Sequence, residues 1–202
     1  MAILIRGLEK SFGTHQVLKN VNLRLEENEI YCLMGPSGMG KTTLLRILLG
    51  LETVDAGVVE GIKQGEISAM FQEDRLCKAL SPVENVALVC SGKVDRKKIR
   101  ENLEEILPAE CLKQPVAELS GGMKRRVALA RAINYPSKLI LLDEPFTGLD
   151  KGTKREVITY LLKMRGNRIL LAATHGEEDV TFLGGKKIML SEISKKEDKA
   201  VP

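Results

Sequence analysis

The sequence predicts an α/β fold: a parallel or mixed core sheet, preceded by an antiparallel β region and interrupted by an inserted helical subdomain. Three observations predict it. "IYCLM" at 30 to 34 is a short continuous apolar run suited to a strand buried on both faces, and the apolar runs "KLILLD" at 138 to 143 and "RILLAAT" at 168 to 174 return late in the chain. "ILIRGLEKSFG" and "VLKNVNLRLEEN" read instead as half-buried strands, with Val21, Leu23 and Leu25 alternating with polar residues. Between about 73 and 135 the sequence carries helix signals and no strong strand.

In chain order, the glycine loop after "IYCLM" leads into "TTLLRILLGL", whose leucines suit a buried helix ending near Gly50. "EISAMF" at 66 to 71 reads as a strand that delivers Gln72 at its end. Ser81 as N-cap, Pro82 in the first helical position and Glu84 closing a capping box start one helix. Asp95 caps a second, "RKKIRENLEEIL", stopped by Pro108. "LSGGMKRR" at 119 to 126 opens a third. A helix near 152 to 165 ends at Gly166, and a last strand lies around 187 to 190. With 202 residues, one domain is expected: a core of 1–72 and 136–191, a helical subdomain of 73–135, and a short frayed charged tail from 192 to 202.

Composition excludes several classes. Aromatics are 3% with no Trp, so the packing must be aliphatic. A dispersed net charge of +4 gives no footprint for nucleic acid. Cys32, Cys77, Cys90 and Cys111 lack C-x-x-C spacing and suit buried free thiols in a reducing compartment. No apolar run approaches the ~18 residues needed to span a bilayer, and the start lacks the apolar stretch of a secretion signal.

The chemistry concentrates in "GPSGMGKT", residues Gly35, Pro36, Ser37, Gly38, Met39, Gly40, Lys41 and Thr42, followed by Thr43. Glycines let backbone N–H groups wrap a β-phosphate, Lys41 reaches β/γ oxygens, Thr42 offers a hydroxyl to Mg²⁺, and the helix adds its positive end. The core is therefore a P-loop NTPase core. Asp143, after four apolar residues, supplies the carboxylate such a metal needs, and Glu144 can face the γ-phosphate as a base. His175 ends another strand, as a structural residue or a γ-phosphate sensor. Ser120, Gly121 and Gly122 form a second anion-binding helix start. The cations Lys124, Arg125 and Arg126 crowd its first turn, where they either await a triphosphate or snorkel into water.

Taken in order, the phosphate loop, Gln72, Leu119-Ser120-Gly121-Gly122, Asp143-Glu144, Gly148-Leu149-Asp150 and His175 resemble the ATP-binding cassette (ABC) ATPases over residues 3 to 191. The resemblance implies that two cassettes pack head to tail, each ATP lying between the phosphate loop of one and the signature helix of the other. It implies that Phe12 stacks on adenine, where Tyr is commoner, and that Gln72 reaches Mg²⁺ and the attacking water. Ser120, Gly121 and Gly122 would meet the partner's nucleotide, and Asp150 would communicate across the dimer. Asp143 would support the metal with Thr42, Glu144 would be the general base, and His175 would clamp the γ-phosphate. Met123 departs from the usual signature Gln, so altered affinity or rate is expected.

"MFQEDRLCKALSPVENVAL" is similar to the nitrate/sulfonate/taurine importer branch through Phe71-Gln72-Glu73, Arg75-Leu76, Leu80, Val83 and Leu88, the Glu84-Asn85-Val86-Ala87 interior being shared with many cassettes, and departs from it at Cys77-Lys78-Ala79. The implied partners are ATP, a second cassette (an identical copy is the simplest), a membrane permease and a solute-binding protein, with no nucleic acid. The implied place is the cytoplasmic face of the membrane. A soluble cassette acting on ribosomes or nucleic acid is the alternative, and a nucleotide-binding module without turnover is a third.

Overall fold

The computed structural model describes residues 2–90 and 95–194. β1 (Ala2–Phe12) and β2 (His15–Glu26) form an antiparallel hairpin. β3 (Ile30–Met34) runs into α1 (Lys41–Leu48), and β4 (Ala56–Glu60) returns to the other edge of β1. β5 (Ile67–Met70) precedes the helical segment: α2 (Pro82–Ala87), α3 (Arg96–Glu104) and α4 (Gly121–Asn134). The chain then alternates through β6 (Leu139–Asp143), α5 (Lys151–Arg165), β7 (Ile169–Ala173), α6 (Glu177–Leu183), β8 (Lys186–Met189) and α7 (Leu190–Ile193).

Five strands form a sheet in the order β5-β6-β7-β3-β8, with every pair parallel. β6 and β7 are buried along their whole length, as both faces of this sheet are covered. Alternate residues divide between two cores. Tyr31, Leu33, Leu139, Leu141 and Leu171 join Ile3, Ile5, Leu8 and Leu25 of the antiparallel sheet, together with Leu44 and Leu48 of α1. Cys32, Ile140, Leu142 and Leu170 point the other way, into a core with α4, α5 and the rest of the helical segment. The sheet is thus the middle layer, and the antiparallel region covers one face.

Local signals act as read. Ser81 Oγ accepts from Glu84 N at 3.3 Å while Ser81 N donates to Glu84 Oε2 at 2.9 Å, completing the capping box. Asp95 accepts from Lys97 N and Lys98 N at 3.0 and 3.1 Å. Several expectations change. β4 and α6 are additional: β4 is an exposed edge strand with only Val59 half-buried, so it carries little apolar alternation. α3 stops at Glu104, ahead of Leu107, and α1 is short of Gly50. α4 packs on β5 and β6 as well as on α2, so it belongs as much to the core as to the insert. The tail begins later than position 192, because Ser194 bridges to Val21; residues 195–202 of that expected tail lie outside the described residues.

The cysteine expectation holds only in part. Cys32 and Cys111 are buried, with burial pushing the Cys32 thiol up to about 11, but Cys77 is exposed.

Asn85 in α2 is fully buried and holds the loop before its own helix. Its Oδ1 accepts from Cys77 N at 2.9 Å, and its Nδ2 donates to the carbonyls of Cys77, Leu80 and Ser81 at 3.1, 3.2 and 3.1 Å. Asn85→Leu keeps the branched shape but strands these groups, an expected cost of about 1–3 kcal/mol. Calorimetry should show Tm lowered by roughly 2–4 °C per kcal/mol; an unchanged Tm would show that water replaces Asn85 without loss.

Candidate active site

Because all five core strands are parallel, their C-terminal ends share one edge, and the loops that leave them meet there. The loop after β3 is glycine-rich for a geometric reason. Gly38 and Gly40 take φ of 79° and 102°, and a Cβ on Gly40 would lie 2.7 Å from Val17 Cγ1. Gly40 is also the N-cap of α1 and has no side chain to satisfy the first N–H groups, which leaves them for an anion.

An open cavity of about 370 Å³ sits on this loop, lined by Phe12, His15, Val17, Ser37, Gly38, Gly40, Lys41, Thr42, Thr43, Gln72, Glu144 and His175. Its walls are the tip of the β1–β2 hairpin on one side and the β5, β6 and β7 ends on the other. A larger cleft of about 680 Å³ lies elsewhere, against Lys98, Tyr135 and Arg168, and holds none of the phosphate-loop residues.

Along the cavity wall, and behind it at Asp143, the charges are arranged in pairs. Lys41 is buried and folds back on its own loop, Nζ donating to the Gly35 and Pro36 carbonyls at 2.6 and 3.1 Å. Burial lowers its pKa, against the raising effect of Glu144 and Asp143. Thr42 Oγ1 donates to Asp143 Oδ2 at 2.8 Å. Asp143 is buried, and burial raises its carboxyl pKa despite that hydrogen bond, with Glu144 adding in the same direction and Lys41 and Arg125 opposing. A bound cation would remove this desolvation cost. The hydroxyl of Thr42, the carboxylate of Asp143 and the nearby amide of Gln72 are hard oxygen donors, a set that fits Mg²⁺ completed by phosphate oxygens and water.

Glu144 follows β6 in a left-handed conformation, φ 49°, that a non-glycine residue adopts only under constraint. Its N–H donates to the Ala173 carbonyl at 2.9 Å, tying it to β7. In this pose Oε1 lies 2.6 Å from His175 Nε2, so that nitrogen carries the hydrogen and donates to the carboxylate. The His175 turn is braced from behind: Thr174 Oγ1 donates to buried Asp179, and Asp179 accepts from Lys154 Nζ of α5 at 2.8 Å.

Phe12 is 48% exposed at the cavity rim with its ring face beside Lys10 Nζ, 5.1 Å from the centroid, a free aromatic surface for stacking. His15 and Val17 line the same wall and were missed; the hairpin that carries Phe12 brings them there. Gly35, Pro36 and Met39 shape the loop from outside the cavity lining, Pro36 through its carbonyl and Met39 through a 3.4 Å bond from its N–H to that same carbonyl.

Ser120, Gly121, Gly122 and Asp150 do not line the cavity. Ser120 is the N-cap of α4, its Oγ accepting from Met123 N at 3.3 Å, and no atom would crowd a Cβ on Gly121 within 4 Å. Asp150 caps α5, accepting from Thr153 Oγ1 at 2.6 Å and from Gly152 N and Thr153 N at 3.0 Å each, and these bonds, the Thr153 hydroxyl first, hold its pKa down. Met123 turns inward, its sulfur 3.9 Å from that of Cys111.

Of the three cations that follow, buried Arg125 fits neither sequence reading, while Lys124 and Arg126 stay half-exposed. Lys124 Nζ donates to the Ala117 carbonyl at 3.0 Å, Arg126 Nη1 to the Ile106 carbonyl at 2.6 Å, and Arg125 is buried against the loops bearing Gln72 and Glu144. A periodicity signal existed: Arg125 shares a helix face with the buried Ala128, Leu129 and Ala132.

The fold and the loop define a P-loop nucleotide-binding domain of the α/β class. A family model described as ABC transporter matches residues 18–147, and the chain belongs to that family. It is 38% identical over 188 residues to an aliphatic sulfonates import ATP-binding protein of Pseudomonas syringae pv. tomato, covering 92% of this chain and 81% of that one. It is 34% identical over 212 residues to a sulfate/thiosulfate import ATP-binding protein of Bacillus cereus, covering 95% of this chain but only 59% of the relative's length. Among solved structures, a putative ABC transporter ATP-binding protein from Pyrococcus furiosus superposes with a TM-score of 0.82 at 24% identity, over 96% of this chain and all of that one, a likeness of fold. A dimeric bacterial ABC transporter cassette in a post-hydrolysis state bound to ADP and Pi superposes with a TM-score of 0.81 at 28% identity, over 93% of each chain.

Asp143→Asn should separate the cost of the buried charge from its use. A carboxyl pKa raised by folding contributes stability that is complete below the unfolded value of 3.8 and is lost as pH rises through the folded value. At neutral pH the nucleotide-free variant should therefore melt above the wild type while losing magnesium-dependent nucleotide affinity. A lower Tm would mean that the Thr42 hydrogen bond outweighs burial.

Proposed function

We propose that this chain is the ATP-hydrolysing subunit of an ABC importer, working as a head-to-tail dimer that drives a separate membrane permease. One observation carries the reading. The phosphate-loop cavity holds a lysine and a base–histidine pair, with the metal-type carboxylate of Asp143 bonded to the Thr42 of its wall, yet the second anion-binding helix start, Ser120 to Gly122, lies outside it. A second copy would supply that helix to this cavity and receive the same in return. The dimeric cassette with ADP and Pi is a precedent among similar folds.

In the reaction, the adenine would stack on Phe12 and the phosphates would lie over the N–H groups of Gly38 to Thr43. Lys41 would exchange the Gly35 and Pro36 carbonyls for phosphate oxygens. Thr42, Asp143 and Gln72 would hold Mg²⁺, which neutralises phosphate charge when bound. Glu144 would take a proton from the attacking water as its oxygen bonds to the γ-phosphorus and the β–γ bridging P–O bond breaks. His175 Nε2 donates to Glu144 Oε1 at 2.6 Å and would turn that N–H to a γ-phosphate oxygen when nucleotide is bound. Ser120, Gly121 and Gly122 of the facing copy would close the site, and Asp150 would report closure through α5.

No helix among the described residues is long and apolar enough to cross a membrane; the relatives named as import ATP-binding proteins support a separate permease with this chain peripheral to it. The relatives named for import of sulfate, thiosulfate and aliphatic sulfonates support a small-solute importer, with a solute-binding protein on the far side, over a role on ribosomes or nucleic acid.

Glu144→Gln should lower turnover by roughly 10²–10⁴ while retaining ATP binding and eluting as a dimer with ATP; undiminished turnover would remove Glu144 from its role. A mixing experiment tests the shared site. Ser120→Arg and Lys41→Ala should each be inactive alone, but together they should regain hydrolysis, because one site of the mixed dimer is intact. Mixtures as inactive as their components, or Ser120→Arg active at any dilution, would place the whole site within one copy.

A further inference from the structure

Arg125 sits at the start of the second turn of α4 with 7% of its surface exposed, and its guanidinium spans two loops. Nη1 donates to the carbonyls of Phe71 at 3.1 Å and Gln72 at 2.6 Å, and to Asp74 Oδ1 at 3.2 Å. Nη2 donates to the carbonyl of Asp143 at 3.0 Å and also to that of Glu144. Its Nε is buried with no partner, so the group is committed to these backbone acceptors even at the expense of one donor. Two turns along, Arg131 donates to the Asp74 and Arg75 carbonyls at 3.1 and 2.8 Å. The loop leaving β5 therefore hangs from α4 by two arginines.

The residues held are the ones whose backbone needs holding. Glu144 and Arg75 are both in left-handed conformations, φ 49° and 47°, and such a pose persists only where its surroundings fix it. The planar fork of one arginine can reach carbonyls on both sides; an ammonium is a point donor and cannot span them. The other end of the arrangement is Ser120, one turn before Arg125 on the same helix.

We propose that Arg125 is a positioning residue for ATP hydrolysis: one guanidinium fixes the carbonyls of Gln72 and Glu144 together, so the side chains flanking the γ-phosphate keep their spacing and move with the helix that presents Ser120. This rests on the hydrolytic reading above. It adds that the signature helix reaches the base of its own subunit through a side chain as well as the neighbouring nucleotide through Ser120.

The test uses Arg125→Lys and Arg125→Gln, assayed with Mg-ATP at a temperature where circular dichroism shows each folded. The expected result is kcat lowered by about 10- to 100-fold in both, with KM for ATP within about threefold, since neither change touches the phosphate loop. Combining Arg125→Gln with Gln72→Ala should lower kcat by less than the product of the single effects, because part of the Arg125 effect passes through Gln72. Wild-type kcat in either variant, accompanied only by a lower Tm, would overturn the proposal, as would fully multiplicative losses. If Arg125→Gln does not fold, Arg125→Lys keeps the charge and decides alone. Wild-type turnover and its loss in Glu144→Gln serve as controls: their failure would sink the hydrolytic reading, whereas their success with an active Arg125→Lys would sink only the positioning role.

Discussion

The hydrogen bond from Thr42 to Asp143, 2.8 Å between residues 101 positions apart, is where the two halves of the chemistry meet. It joins the start of α1 to the end of β6 across the end of β7, which lies between β6 and β3 in the sheet. That contact is possible because every core strand runs the same way, so the phosphate loop, Gln72, Asp143, Glu144 and His175 all emerge at one edge. Asp143 is tolerated in its buried place by this one hydroxyl and by the positive charges of Lys41 and Arg125.

Around that contact, support comes from behind the reacting groups. Glu144 is fixed by Ala173, His175 is backed by Thr174, Asp179 and Lys154, and Gln72 hangs from α4. The lining side chains stay accessible while their backbones are locked, the arrangement expected where geometry must be exact within a fraction of an ångström. α4 has two functions in this scheme. Its apolar residues pack between sheet and helical segment, and its N-terminal end offers Ser120 outward and Arg125 inward.

Much of the fold could be read from local pattern. The apolar runs gave the buried strands, Ser81 and Asp95 cap helices, and the glycines mark the phosphate loop. The candidate lining was legible too, since Lys41, Thr42, Gln72, Glu144 and His175 do line one cavity. What escaped was weakly patterned or set by distant contacts. β4 is too short and exposed to alternate, His15 enters the site only through a hairpin register, and Cys77 reads as buried beside Leu76 but faces outward. Arg125 looked like a surface cation because its neighbours Lys124 and Arg126 are charged; only the approach of two loops from 51 to 54 residues before it and 18 to 19 after it makes it a buried brace.

The amino-acid order alone determined the element types, the phosphate loop and the ordered motifs, because periodicity, capping and glycine spacing act over a few residues. Tertiary structure decided which charges pair, which left-handed residues are held, and which of the two anion-binding helix starts opens into the cavity. Those depend on the parallel alignment of strands far apart in the chain and on the burial it imposes, and no short stretch of sequence contains either.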